Sequence, residues 1–214
     1  MGRESMAGAF FLLAHDEFSG RARCDLDLLR CGVVGAQLAE LVIGGRLGVV
    51  DGRVHPLDAE AVGETPAASY VMECILAQPR HHTVRTWTDS LGEPLFELVA
   101  RQLTDDKVVR RDVGRGVGRR RADRFPAVDL LRAAAPRSRL SHAVSSPRNL
   151  DLAGAFTIAL VWALGLASLL DQRIERSTAD ELILRIRARM PGALRELLEG
   201  VDSTAAASSL SVRR

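Results

Sequence analysis

"LAGAFTIALVWALGLASLL", Leu152–Leu170, runs for 19 residues without a charge. Its reading decides the fold. The length is within the range of a membrane span. Yet the run is rich in Ala, Gly, Ser and Thr, and Asp151 and Asp171 stand tight against its ends. A helix enclosed by other helices is also apolar on every side. We therefore read it as a buried core helix and expect no transmembrane span. The start, "MGRESMAGAFFLLAHDE", has an apolar run too short and too quickly acidic for a secretory signal. A cytoplasmic protein is expected.

Around this helix the chain reads as one mainly α domain. Its 214 residues are 47% apolar, enough to bury a substantial core. Leu28, Leu29, Val33, Val34, Leu38 and Leu41 recur at helical spacing behind Asp25 or Asp27 as a cap, and Gly44-Gly45 closes that helix. "RLGVVDGRVHPL" follows as a β-hairpin turning at Asp51-Gly52, a pair that accepts positive φ. Thr65-Pro66 starts the next helix. "TVRTWTDSL" and Leu95–Leu103 read as two further helices, and "RSRLSHAVSSPRN" beyond Pro136 reads as a polar linker. Ser177 with Asp180 forms a capping box for a late helix, and Pro191 begins another, shorter one. Residues 1–9 and 201–214 are expected to be disordered flanks of a single domain at 10–200.

Catalytic and metal signatures are absent. No H-E-x-x-H, G-x-S-x-G, P-loop or kinase pattern occurs. "GRGVG", Gly114–Gly118, imitates part of a dinucleotide loop, but no helix opens after it to hold a phosphate. His81-His82 lack a carboxylate or cysteine at matching spacing and are read as an exposed pair. Cys24, Cys31 and Cys74 form neither a C-x-x-C nor an even set, so buried free thiols are expected. Trp87 and Trp162 fall on apolar helical faces and are read as core. A non-enzymatic protein without cofactor or metal is expected.

The positive signal is "VVRRDVGRGVGRRRADRF", residues 108–125. Between Arg110 and Arg124 seven arginines and two aspartates give a local charge of +5, against +2 for the whole chain. The pattern reads as a protruding basic β-hairpin, and three readings of it stand open. Arg111, Arg115, Arg119, Arg120 and Arg121 can meet acidic phospholipid headgroups. The hairpin can pair with another copy, giving a homo-oligomer, since an edge strand is a ready template. It can also be the wing of a winged-helix DNA binder, behind the helix "PLFELVARQL". A recognition helix presents polar side chains to base edges. Here only Arg101 and Gln102, at its end, are of that kind.

The order of segments resembles the Golgi phosphoprotein 3 family, in its bacterial branch. "FFLLAHDEFSGR" precedes a helix with Gly35, Leu38, Glu40, Leu41, Gly45, Arg46 and Leu47 in the family's pattern. "GET" at Gly63–Thr65, "VRTWTDSL", "LVARQLTDDKVV" and "RFP" at Arg124–Pro126 follow in family order. The resemblance implies a mostly helical domain with a projecting hairpin, peripheral at the inner face of a membrane. Eukaryotic members bind a phosphoinositide through a tryptophan and several arginines. Those positions fall on Asp25, on Val34 and near Glu93 and Phe96, so the resemblance implies that the headgroup pocket is degenerate here. A replacement pocket from Arg21, Arg23 and Arg30 is a further expectation.

Overall fold

The computed structural model describes residues 5–58, 64–114, 123–145, 150–169 and 176–211; the side chains of 176–177 and 208–211 lie outside the description. Among the described residues the helices are α1 (Met6–Leu13), α2 (Leu26–Ile43), α3 (Pro66–Leu76), α4 (Val84–Asp105), α5 (Leu130–Ser145), α6 (Leu152–Ala163), α7 (Arg176–Arg189) and α8 (Gly192–Ser211). Strands β1 (Leu47–Val50) and β2 (Arg53–Pro56) pair antiparallel between α2 and α3, with Val50 opposite Arg53. Asp51 and Gly52 take φ of 52° and 67° at the turn, as the Asp-Gly pair predicts. The fold is mainly α.

The hub is α2. Every residue from Cys31 to Ala39 is buried, because α1, α4, α6 and α8 surround the middle of this helix. α1 crosses α2 tightly at Gly32. A Cβ at Gly32 would lie 2.1 Å from the Phe10 ring, so only glycine fits. The helix starts at Asp25, but the Asp25 side chain makes no capping hydrogen bond. It ends at Gly45, φ 68°, where the Gly45 and Arg46 amides donate back to Val42 and Leu41. That 5→2 and 6→1 pair is the Schellman stop.

The opening stretch is not one long helix. α6 spans 12 residues, stops at a second Schellman turn around Gly165 (φ 70°), and is followed by a short 3-10 turn at Ala167–Leu169. Phe156 and Ile158–Val161 are buried against α2, α5, α7 and α8, which is the core role expected. Among the described residues no helix is long and apolar enough to cross a membrane.

Five boundaries differ from the sequence reading. The two helices expected over 84–103 are one, α4, with Pro94 inside it. Trp87, Thr88, Leu91, Gly92, Leu95, Phe96, Val99, Ala100 and Leu103 make one continuous buried stripe, and its packing holds the helix through a proline that leaves the Ser90 carbonyl without its amide donor. Residues 137–145 of the expected polar linker belong to helix α5, started by Asp129, whose carboxylate accepts from the Arg132 amide at 3.1 Å. Ala133, Pro136, Leu140 and Val144 form its narrow buried face. α1 begins at Met6, before the expected boundary at residue 10, with Ser5 capping the Gly8 amide. α8 runs on through Ser211 with Val201, Thr204 and Ala205 buried, so residues 201–211 are not a disordered tail. α7 is already helical at Arg176, so Ser177 lies in its first turn and not at the cap.

Candidate functional site

The arms of the basic segment leave the body where expected. After α4, Lys107 adopts φ 57° and the Val108 amide donates to Leu103, a Schellman stop with lysine at the usual glycine position. The chain then runs outward and returns antiparallel. The Arg110 amide donates to Pro126, and Asp112 and Arg124 exchange both amide bonds, at 2.8 and 3.0 Å. Residues 115–122, including Arg115, Arg119, Arg120 and Arg121, lie outside the described residues.

Arg111 is described, and its cation faces inward to the hairpin base. One edge of its guanidinium lies on the Glu97 carboxylate, at 2.6 and 3.0 Å, and Nε donates to Asp123 at 2.7 Å. Its Cζ lies over the Phe125 ring, 5.6 Å from the ring centre. Asp123 also accepts the Gly114 amide at 3.0 Å; that bond first, and Arg111 after it, hold its carboxyl below the ordinary range. Arg110 pairs with Asp112 at 3.1 Å. Arg111 thus ties the two arms to each other and to α4, while Arg110 pairs within its own arm.

An aromatic cluster anchors the base. Phe125 meets Phe11 edge-on at 5.1 Å, with Phe96 and His15 completing the group. His15 stacks on Phe11 at 4.2 Å and donates Nδ1–H to the Phe11 carbonyl at 2.8 Å, which sets the neutral tautomer. Burial pushes its pKa down to about 4, against the opposing pull of that hydrogen bond. The α1–α2 loop seals the seam: Gly20 accepts from the Phe125 amide and Glu17 from the Ala127 amide, both at 2.8 Å. Gly20 takes φ 66°, and a Cβ there would sit 2.2 Å from the Pro126 nitrogen. Sequence reading did not find this seam; the tripeptide "RFP" and the Phe11–His15 spacing are its only local traces.

The expected replacement pocket does not assemble. Arg23 is turned onto Asp16 and Glu17 at 2.8 and 3.0 Å. Arg30 faces Glu93 at 3.4 Å and Asp27 at 3.9 Å. Arg21 stays apart on the loop surface. Of the positions the resemblance assigned to a headgroup, Val34 and Phe96 are buried in the core, Asp25 is exposed, and Glu93 holds Arg30.

Among the described residues no group of three or more His, Cys, Asp or Glu can hold a metal ion. His81 and His55 rings are 5.6 Å apart without a third ligand. Cys31 is buried and Cys24 half-buried; burial pushes their thiols up to about 12 and about 11, so neither is a ready nucleophile. Trp87 is core, while Trp162 is only half-buried. A groove of about 410 Å³ lies between α6 and α7, floored by Leu150, Leu182, Ile186 and Met190 and edged by Arg185 and Arg189. Compared with models of known families, residues 6–201 match that of Golgi phosphoprotein 3 (GPP34). No curated protein matches the chain.

Proposed function

We propose that this chain, which belongs to the Golgi phosphoprotein 3 family over residues 6–201, is a non-enzymatic domain that binds acidic lipid peripherally through its basic hairpin. The observation that carries the reading is the charge of +5 between Arg110 and Arg124 in a chain of only +2. Arg110 and Arg111 are occupied by carboxylates at the hairpin base. The lipid contacts are therefore Arg115, Arg119, Arg120 and Arg121. Recognition is of surface charge and not of one headgroup, since Val34 and Phe96 cannot reach a ligand from the core.

Magnitudes limit this contact. Each basic residue near an anionic surface contributes about 1 kcal/mol, so four contribute at most about 4 kcal/mol, or roughly millimolar affinity. A contact of that strength needs a second one beside it. Flotation with neutral phosphatidylcholine vesicles and with vesicles containing phosphatidylglycerol tests the reading. Binding is expected only to the anionic vesicles, and it falls as salt is raised. Replacing Arg119, Arg120 and Arg121 by alanine should weaken it about a hundredfold. Equal, negligible flotation on both vesicles at low salt sinks the proposal.

A further inference from the structure

We infer that Phe18, Val128, Leu130 and Leu131 form an apolar foot at the hairpin base that enters the headgroup region of an anionic bilayer; this rests on the lipid-binding reading above. Phe18 is 75% exposed and Leu131 86%, with Val128 and Leu130 about half exposed. Single exposed apolar residues are ordinary, but a group of large ones marks an interaction surface. The main chain brings them together. Phe18 directly follows Glu17 and Val128 directly follows Ala127, and the carbonyl of Glu17 accepts the amide of Ala127 at 2.8 Å. Leu130 and Leu131 open α5 two residues later, and Arg137 of the same helix reaches back to Glu17 at 3.9 Å.

Phe18 is held outward by structure. Its turn is closed by the Asp16 carboxylate, which accepts the Ser19 amide and hydroxyl at 2.8 and 2.9 Å. The Gly20 amide donates to the Asp16 carbonyl, and the Asp16 amide to that of Arg21, both at 2.8 Å. A loop tied this way cannot fold its phenylalanine back onto the core without breaking those bonds.

Charge selects the occupant. Arg21, Lys107 and Arg124 form no ion pair among the described residues, and each lies within one residue of a backbone bond on this seam. Among the described residues the Arg132 guanidinium bonds a neutral carbonyl, that of Asp106. Of the nearby acids, Asp16 and Glu17 are held by Arg23, and Asp129 caps α5; Asp105 and Asp106 stand at the end of α4. Apolar side chains among cations fit an interface of acyl chains under anionic headgroups.

The test uses the whole chain with Phe18→Ser and Leu131→Ser combined. Both positions are exposed, so the circular dichroism and melting temperature should match those of the unaltered protein. The lipid concentration for half-binding to phosphatidylglycerol vesicles should rise at least about tenfold. In a separate Phe18→Trp variant, indole emission should shift blue on those vesicles and be quenched by brominated acyl chains. If the unaltered protein binds and the double variant binds equally well, the foot is overturned and the hairpin reading stands. If the unaltered protein binds neither vesicle type, the lipid reading itself falls and takes this inference with it. Light scattering that finds a dimer converted to a monomer by the double variant overturns the foot as a membrane contact and makes it a contact between copies.

Discussion

His15 shows at residue scale how burial becomes a pH dependence. Its pKa is depressed from 6.5 to about 4, so the folded state holds it neutral while the unfolded chain takes a proton below 6.5. Its contribution is complete above pH 6.5 and is lost as pH falls towards 4, at most about 3 kcal/mol. The lowered carboxyls of Asp16 and Asp123 act later, below their ordinary value of 3.8. Urea unfolding of unaltered protein should therefore lose stability between pH 6.5 and 4.5, and His15→Gln should flatten that slope. Arg111 is the neighbouring case. It was read as a lipid contact from its place in a charge run, but Glu97 and Asp123 take its hydrogen bonds. All three side chains are partly solvated, so solvent screening keeps the pair weak. A double-mutant cycle of Arg111→Ala and Glu97→Ala should give a coupling of about 0.5–1 kcal/mol. No spacing rule links residues 97, 111 and 123, which is why sequence reading could not see this brace.

At the scale of elements, local signals worked where they were chemical and failed where packing overrode them. Asp51-Gly52, Thr65-Pro66 and Gly44-Gly45 each needed a backbone geometry that those residues favour, and each sits where it was read. Pro94 is the opposite case. Proline normally ends a helix, but α4 continues because its buried stripe is unbroken on both sides. Pro94 is exposed, so Pro94→Ala should restore the bond to the Ser90 carbonyl without disturbing the core. A gain of about 1–2 kcal/mol is expected from thermal unfolding, less than the full proline cost because alanine also loosens the unfolded chain. α5 was misread because only four of its sixteen residues are buried, too sparse a stripe to stand out among arginines and serines.

For the whole molecule, α8 is the most consequential correction. The small polar residues after Gly200 look like a tail, yet Val201 packs on Gly35 of the hub and its carbonyl lies 4.0 Å from the Cys31 Sγ. Ending the chain after Gly200 should cost at least about 2 kcal/mol, since Val201 and Ala205 leave the core and a cavity opens beside α2. Chemical denaturation of the shortened chain checks this; an unchanged midpoint would return the segment to the status of a tail. The same packing positions the candidate surface. α1, α4 and the α1–α2 loop each contribute to the hairpin base, so hairpin placement depends on the folded body.

The amino-acid sequence by itself determined the mainly α class, the Asp-Gly hairpin, the core role of the apolar helix and the collection of positive charge on one glycine-rich segment. These depend on periodicity, turn chemistry and charge, all of which are written along the chain. Only the tertiary structure decided which arginines are spent on internal carboxylates, that Arg21, Arg23 and Arg30 do not converge, and that the Glu17 carbonyl accepts the Ala127 amide beside the hairpin. Those outcomes join residues as near in the sequence as Arg111 and Asp123 and as far apart as Glu17 and Ala127. Packing around α2 sets their proximity, and a local pattern carries no record of it.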